Sequence, residues 1–112
     1  MKEPELSGEL IPSLKAELKF LTSSEGGRRT PTQSGYRPQF YYGGNDWDAA
    51  HAYNVDLVYP GDHVVATLTF FRPQNHLGKL YSGMPFQIRE GARTVANGKI
   101  LEVLDATLNR DA

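Results

Sequence analysis

The sequence predicts an all-β protein, a small antiparallel barrel of about six strands. Three observations predict it. Apolar and polar residues alternate with a period of two in several short runs, as a strand with one wet face requires. Gly and Pro, 11 and 7 in number, punctuate the 112 residues at short intervals. No stretch makes a convincing long helix.

The segments follow in order. Residues Met1 to Pro12 are polar and broken by Pro4, Gly8 and Pro12, and 1–13 read as a flexible tail or tether. In Leu14–Leu21 a helical spacing is conceivable. The strict alternation of Leu14, Ala16, Leu18 and Phe20 against Lys15, Glu17 and Lys19 favours a strand. Tyr36–Tyr42 is aromatic and extended, because the residue before Pro38 is pushed out of the helical region. Ala52–Tyr59 reads as a further strand from the alternation of Tyr53, Val55, Leu57 and Tyr59. Pro60-Gly61-Asp62 is a turn, and His63–Phe71 resumes with β-branched and aromatic residues. Pro85–Glu90 and Thr94–Leu104 form a hairpin across Gly91-Ala92. The domain is thus expected over 14–105, with a C-terminal tail at 106–112. Glu25–Gly35 and Pro73–Gly83 remain as long loops, the places where rigid barrels carry function.

Composition narrows the function. With 39% hydrophobic and 22% charged residues, the chain suits one globular domain with a modest core. No run approaches the about 18 apolar residues of a membrane span, and no signal peptide is visible at the N-terminus. Without cysteine there is no disulfide and no thiolate zinc site. The expected location is cytoplasmic, with neither membrane nor DNA as a partner. A net charge of −1 argues against a bulk polyanion binder but leaves room for a local basic patch. Such a patch has candidates: every arginine except Arg110 lies in a Gly- or Pro-punctuated segment.

Motifs for catalysis are lacking. Gly78-Lys79-Leu80 and Gly98-Lys99-Ile100 have neither the spacing nor the hydroxyl of a phosphate-cradling loop. His51, His63 and His76 are too scattered for a local metal motif, and Asp46 and Asp48 do not make a full oxygen-ligand loop. The chain is expected to be no enzyme, with no catalytic residues, no metal and no cofactor. Several residues carry two readings. Arg28-Arg29 is a solvated loop charge or a ligand contact. Arg37 packs its stem or forms an ion pair. Arg89, Glu90 and Arg93 pair across a hairpin. Trp47, in a polar Gly-rich segment, is an interface anchor or folds back onto the barrel.

Specific words set the family expectation. They are Glu25-Gly26-Gly27-Arg28, Gly35-Tyr36-Arg37-Pro38-Gln39-Phe40-Tyr41, Pro60-Gly61-Asp62 and Ile88-Arg89-Glu90-Gly91-Ala92-Arg93-Thr94-Val95. In this order and spacing they resemble the C-terminal β-barrel, the third domain, of elongation factor Tu. The similarity runs from about Leu14 to Leu104. In that family the barrel is one of three domains, and the GTP-hydrolysing domain is not among these 112 residues. The barrel there touches the T-stem of aminoacyl-tRNA, the nucleotide-binding domain and the exchange factor, elongation factor Ts. The resemblance therefore implies a non-catalytic, translation-linked module. Its partners would be aminoacyl-tRNA and a translation GTPase or an elongation factor Ts-like protein.

It also implies RNA-facing positions: Arg28, Arg29, Gln39, Arg72 and Gly91. Arg29 stands where many members have His, and Arg72 where they often have Lys or His. Two departures flank this set. Asp48 falls where the family has a Thr, and Gln74–Gly83 is longer than the family's loop. An alternative expectation follows from them: a protein-interaction module with remodelled loops and no RNA binding, docking through Trp47, His76 and Tyr81. A third is a fragment of a larger GTPase.

Overall fold

A computed structural model of the protein describes residues 10–111. Six strands build it: β1 (Leu14–Phe20), β2 (Gln39–Tyr42), β3 (Asn45–Tyr53), β4 (His63–Phe70), β5 (Pro85–Glu90) and β6 (Arg93–Val103). They close into an antiparallel barrel in the order β1-β4-β3-β2-β5-β6. Closure leaves no strand edge unpaired.

The interior is what period-two alternation demands. Leu14, Ala16, Leu18 and Phe20 of β1 point inward and are at most 2% exposed, while Lys15, Glu17 and Lys19 point out. Phe40 of β2 stacks on Phe86 of β5 with ring centroids 4.1 Å apart, and meets Phe70 of β4 edge-on at 5.0 Å. These rings join the barrel's opposite walls. Two register shifts, at Lys15/Ala16 against β6 and at Ile88/Arg89 against β6, bend the sheet toward closure. At the second, both Val95 and Ala96 face the core.

The expected strands hold in four cases and shift in two. β2 begins at Gln39 rather than Tyr36. The preceding residues still bond to β3, with the Tyr36 carbonyl accepting from His51 N–H at 2.9 Å. The larger correction concerns β3, which spans Asn45–Tyr53 rather than Ala52–Tyr59. Gly43 and Gly44 have φ of 60° and 81°, the pair of left-handed residues that closes a two-residue hairpin. The strand therefore resumes at once, and Asp46 and Asp48 are simply its outward side chains. Beyond Tyr53 the chain leaves the sheet and is tied back through the Thr32–Val58 bridge and the buried Val58 side chain, while Val55, Leu57 and Tyr59 stay exposed.

Residues past 105 are not a loose tail as far as Asp111. Asp105 caps a short 3-10 turn (Ala106–Leu108), and Leu108 is fully buried. Leu80 N–H donates to the Leu108 carbonyl at 2.9 Å, tying this end to the Pro73–Gly83 loop. The expected tail at 1–13 lies outside the described residues as far as position 9, and Ser13 is already buried within the barrel.

Candidate nucleic-acid interface

The loop after β1 is set by a capping box. Thr22 Oγ1 accepts from Glu25 N–H at 3.2 Å, and the Glu25 carboxylate accepts from Thr22 N–H at 2.9 Å. The chain then delivers Arg28 to the turn between β5 and β6. Arg28 Nε–H donates to the Thr30 carbonyl at 3.2 Å, and Nη2 donates to Thr30 Oγ1 at 3.1 Å and to the Pro31 carbonyl at 3.4 Å. Nη1 pairs with Glu90. The same carboxylate accepts from the Tyr36 hydroxyl and, through Oε1, from Arg93 Nη2 at 3.3 Å.

Glu90 is thus the hub of this end. Partial burial works against its charge. The Tyr36 hydroxyl and the two guanidiniums outweigh that and hold its carboxyl below the usual range. Burial, and then the Glu90 charge, push the Tyr36 phenol up, so it stays a proton donor. The Glu90–Arg93 pairing was legible as a hairpin contact. The Arg28–Glu90 bond spans 62 positions and left no local signal. Arg28, Arg29, Thr30, Glu90 and Arg93 line a cleft of about 200 Å³. Arg29 is exposed beside it, and Gly91 forms the adjacent turn with a left-handed backbone, φ 61°.

The remaining predicted RNA-facing residues connect to this cleft through the sheet. Gln39 on β2 lies opposite Arg89 on β5 and opposite Asp48 on β3. Ala49 pairs with Phe70, so the next outward position of that rung joins Asp48 to Phe71, whose N–H donates to the Asp48 carbonyl at 3.3 Å. A single outward row therefore runs Phe71, Asp48, Gln39, Arg89. Three inter-strand steps of roughly 4.8 Å give it a length of about 14 Å. Arg72 follows Phe71 at one end, exposed. The Arg28 cleft lies at the other. Gln39 and Arg72 thus lie along this row, while Arg28, Arg29 and Gly91 gather at the adjoining β5–β6 turn.

Arginines on this band are held against rings. Arg28 lies 4.9 Å from the Tyr36 centroid, Arg37 4.4 Å from Phe71, and Arg89 4.2 Å from Tyr41. Arg89 also sits 3.7 Å from Asp46. The expected packing of Arg37 is met by Phe71; among the described residues no carboxylate pairs with it. The described lysines lie elsewhere: Lys15 and Lys19 on β1, Lys99 on β6 and Lys79 in the far loop.

Trp47 and His76 come together at the opposite end of the barrel, and Tyr81 lies farther along the Pro73–Gly83 loop; none is a projecting anchor. Trp47 is in a strand, not a loop, and its half-buried ring meets His76 edge-on at 4.9 Å. His76 is 1% exposed, stacked on Phe70 at 3.8 Å, with Nδ1 2.6 Å from the Tyr42 hydroxyl. Burial, and then Lys79, pull its pKa down to about 4. Tyr81 is half-buried under Arg110 at 3.9 Å. These aromatics plug the barrel's end. His51 plays the same part at the other end. It is 2% exposed with Nδ1 2.8 Å from the Tyr53 hydroxyl, and burial lowers its pKa to about 3.

The band gathers guanidinium donors at its two ends and sets the amide of Gln39 and the carboxylate of Asp48 between them. Among the described residues, no helix is long and apolar enough to cross a membrane. Comparison with known families accounts for the barrel that carries the band. The sequence model described as the elongation factor Tu C-terminal domain matches residues 9–104, nearly the whole chain. The chain belongs to the family of elongation factor Tu C-terminal domains.

Proposed function

We propose that this domain is a non-catalytic, translation-linked RNA-binding module acting in the cytoplasm. It grips the double-helical stem of an aminoacyl-tRNA through Arg28, Arg29, Gln39, Arg72 and Gly91. A single observation carries this proposal: the arginines gather on one band, and the described lysines are kept off it. Arginine offers a planar fork of donors that fits a phosphate, whereas lysine is a mobile point charge. A-form RNA exposes phosphates and 2′-hydroxyls across a shallow minor groove, so contacts of this kind position it without reading sequence. Asp48 suits the same surface as an acceptor for a 2′-hydroxyl rather than as a phosphate contact.

The test is fluorescence anisotropy of labelled aminoacyl-tRNA over a salt series starting near 50 mM. Saturable binding is expected, weakening steeply with salt. Arg28→Ala with Arg29→Ala should flatten the log–log slope by about 0.9 per lost phosphate contact. Equal slopes for variant and wild type would remove these arginines from the site.

A second function, docking to a protein, is favoured by one feature. Val55, Leu57 and Tyr59 are 49%, 41% and 51% exposed along one short segment. A translation GTPase or an elongation factor Ts-like protein would be the partner. Leu57→Ser with Tyr59→Ser should then abolish capture of that partner, with little dependence on salt.

A further inference from the structure

Arg28, Arg29, Thr30, Glu90 and Arg93 line one cleft, and Thr30 is the hydroxyl among them. Its place is fixed from both sides. Ahead of it, Gly27 N–H donates to the Thr22 carbonyl at 2.9 Å, and a Cβ on Gly27 would collide with the Leu21 carbonyl. Beyond it, Thr32 is buried and exchanges backbone bonds of 2.9 and 2.8 Å with Val58. Between these anchors Arg29 and Thr30 form an exposed bend outside any strand. A side chain on such a bend is open to a modifying enzyme.

The hydrogen bonding of Thr30 differs from that of other exposed hydroxyls. Ser34 donates to the Tyr53 carbonyl, Ser82 to the Leu101 carbonyl and Thr107 to Asp105. Thr30 Oγ1 instead accepts from Arg28 Nη2 at 3.1 Å, and among the described residues it donates to no partner. Its proton is free to leave, and a guanidinium already stands beside the oxygen that would carry a new anionic group.

Charge around the cleft is unbalanced. Three guanidiniums face one carboxylate, an excess of two positive charges. Arg28 gives Nη1 to Glu90 and turns Nη2 toward Thr30. Arg93 meets Glu90 at 3.3 Å with 54% of its side chain exposed, so it is not locked there. Arg29 is exposed and pairs with no carboxylate among the described residues. A phosphothreonine carries about −1.5 to −2 charges at pH 7, enough to cancel that excess.

We propose that Thr30 is a phosphorylation site whose phosphate seats among Arg28, Arg29 and Arg93 and so closes this end of the arginine band to RNA. A protein kinase transfers the γ-phosphoryl group of a nucleoside triphosphate. A P–O bond forms at Thr30 Oγ1, the bond to the departing nucleoside diphosphate breaks, and the hydroxyl proton goes to the kinase's base. The seat stands on the cleft alone. The closing of the band rests on the proposal that the band binds RNA.

Two experiments on the full chain test this. In the first, a serine/threonine kinase that selects arginines ahead of its acceptor acts on the folded protein with γ-³²P-ATP. Label should map to Thr30 and vanish in Thr30→Val; an unlabelled Thr30 overturns the site. In the second, protein made with phosphothreonine at position 30 is titrated by ³¹P NMR, folded and in urea. The second phosphate ionisation should lie about one pH unit lower in the folded protein, and Arg29→Gln with Arg93→Gln should remove about half of that shift or more. Arg93→Gln alone carries the comparison if thermal melting shows the double variant unfolded. Equal ionisation folded and in urea overturns the seat. The phosphoprotein should also bind labelled aminoacyl-tRNA about tenfold more weakly or worse near 50 mM salt, with a log–log slope shallower by roughly 0.9 per vacated phosphate contact. Affinity within about twofold of the unmodified protein overturns the regulation and leaves the seat standing. No RNA binding by the unmodified protein, with the phosphate ionisation still lowered, overturns the RNA reading and keeps the seat.

Discussion

Two faces of this barrel carry cations, and they use them differently. On the β2–β3–β5 side the cations are arginines, held against Tyr41, Phe71 and Tyr36, with Arg89 opposite Gln39. On the β1–β6 side, away from Arg93 at the start of β6, they are lysines. Lys99 meets Glu17 at 3.8 Å with both side chains more than half exposed, a loose cross-strand pair. The lysine face is hydrated and loosely paired. The arginine face has its side chains ordered before any ligand comes. Order at an exposed charge costs entropy, and here the aromatic rings offset it. The difference separates a loosely paired charged surface from a pre-ordered one.

The comparison breaks most readily at Arg28 and Arg29. Their joint replacement by Ala should weaken tRNA binding roughly tenfold to a hundredfold at low salt, from two lost charge-assisted contacts. Lys15→Ala with Lys19→Ala should change it less than about twofold. Comparable losses from both pairs, measured by anisotropy, would mean that the faces differ only in composition.

Acid sharpens the contrast between the barrel's interior and its faces. His51 and His76 are held neutral, with pKa values near 3 and 4 in the fold against 6.5 unfolded. A lowered folded pKa means that the unfolded chain takes up protons first as pH falls. The stability these histidines allow is whole above pH 6.5 and drains away below it, by at most about 1.4 kcal/mol per pH unit for each. Glu90 adds its share only lower, as pH falls through its depressed carboxyl range. Melting temperatures from pH 7 to 4 should fall steadily. Replacing His76 by Phe should reduce that slope, and a curve flat to pH 4.5 would contradict the buried neutral histidines.

Glu90→Gln comes next. It removes the charge that Arg28, Tyr36 and Arg93 share, so stability should drop by about 1–2 kcal/mol in a denaturant titration. RNA affinity should rise a few-fold as a competing carboxylate leaves. A loss of affinity would mean that Glu90 orients Arg28 more than it competes with the ligand. The smallest effect belongs to the other face. Lys99→Ala should shift stability by no more than about 0.5 kcal/mol.

Much of this was legible in the chain, for physical reasons that also explain the misses. β1, β4 and β5 alternate inward apolar side chains with outward ones, and β6 was legible from the hairpin turn at Gly91-Ala92 that leads into it. β3 escaped because its inward residues past Trp47 are Ala49 and His51, which do not look like core, and its outward ones are Asp46 and Asp48, which look like loop. The run Val55, Leu57, Tyr59 misled because its alternation is real while its apolar side faces water; Val58 is the residue that is buried. The arginines of the site were visible as residues, from their Gly- and Pro-rich settings and from the family resemblance. Their rings were not. Phe71 reaches Arg37 across the neighbouring strands β4, β3 and β2, and Glu90 reaches Arg28 through the pairing of β1 with β6 and of β6 with β5. No local pattern encodes a contact between residues so far apart in the chain.

The most direct test of an arginine face as the RNA surface is amide chemical-shift mapping of the ¹⁵N-labelled protein during titration with an aminoacyl-tRNA stem duplex. Shifts should concentrate at Gln39, Asp48, Phe71, Arg72, Arg89 and Gly91, and spare Glu17, Lys19, Val65 and Lys99. Shifts centred on β1 and β6, or none at saturating RNA and low salt, would contradict it.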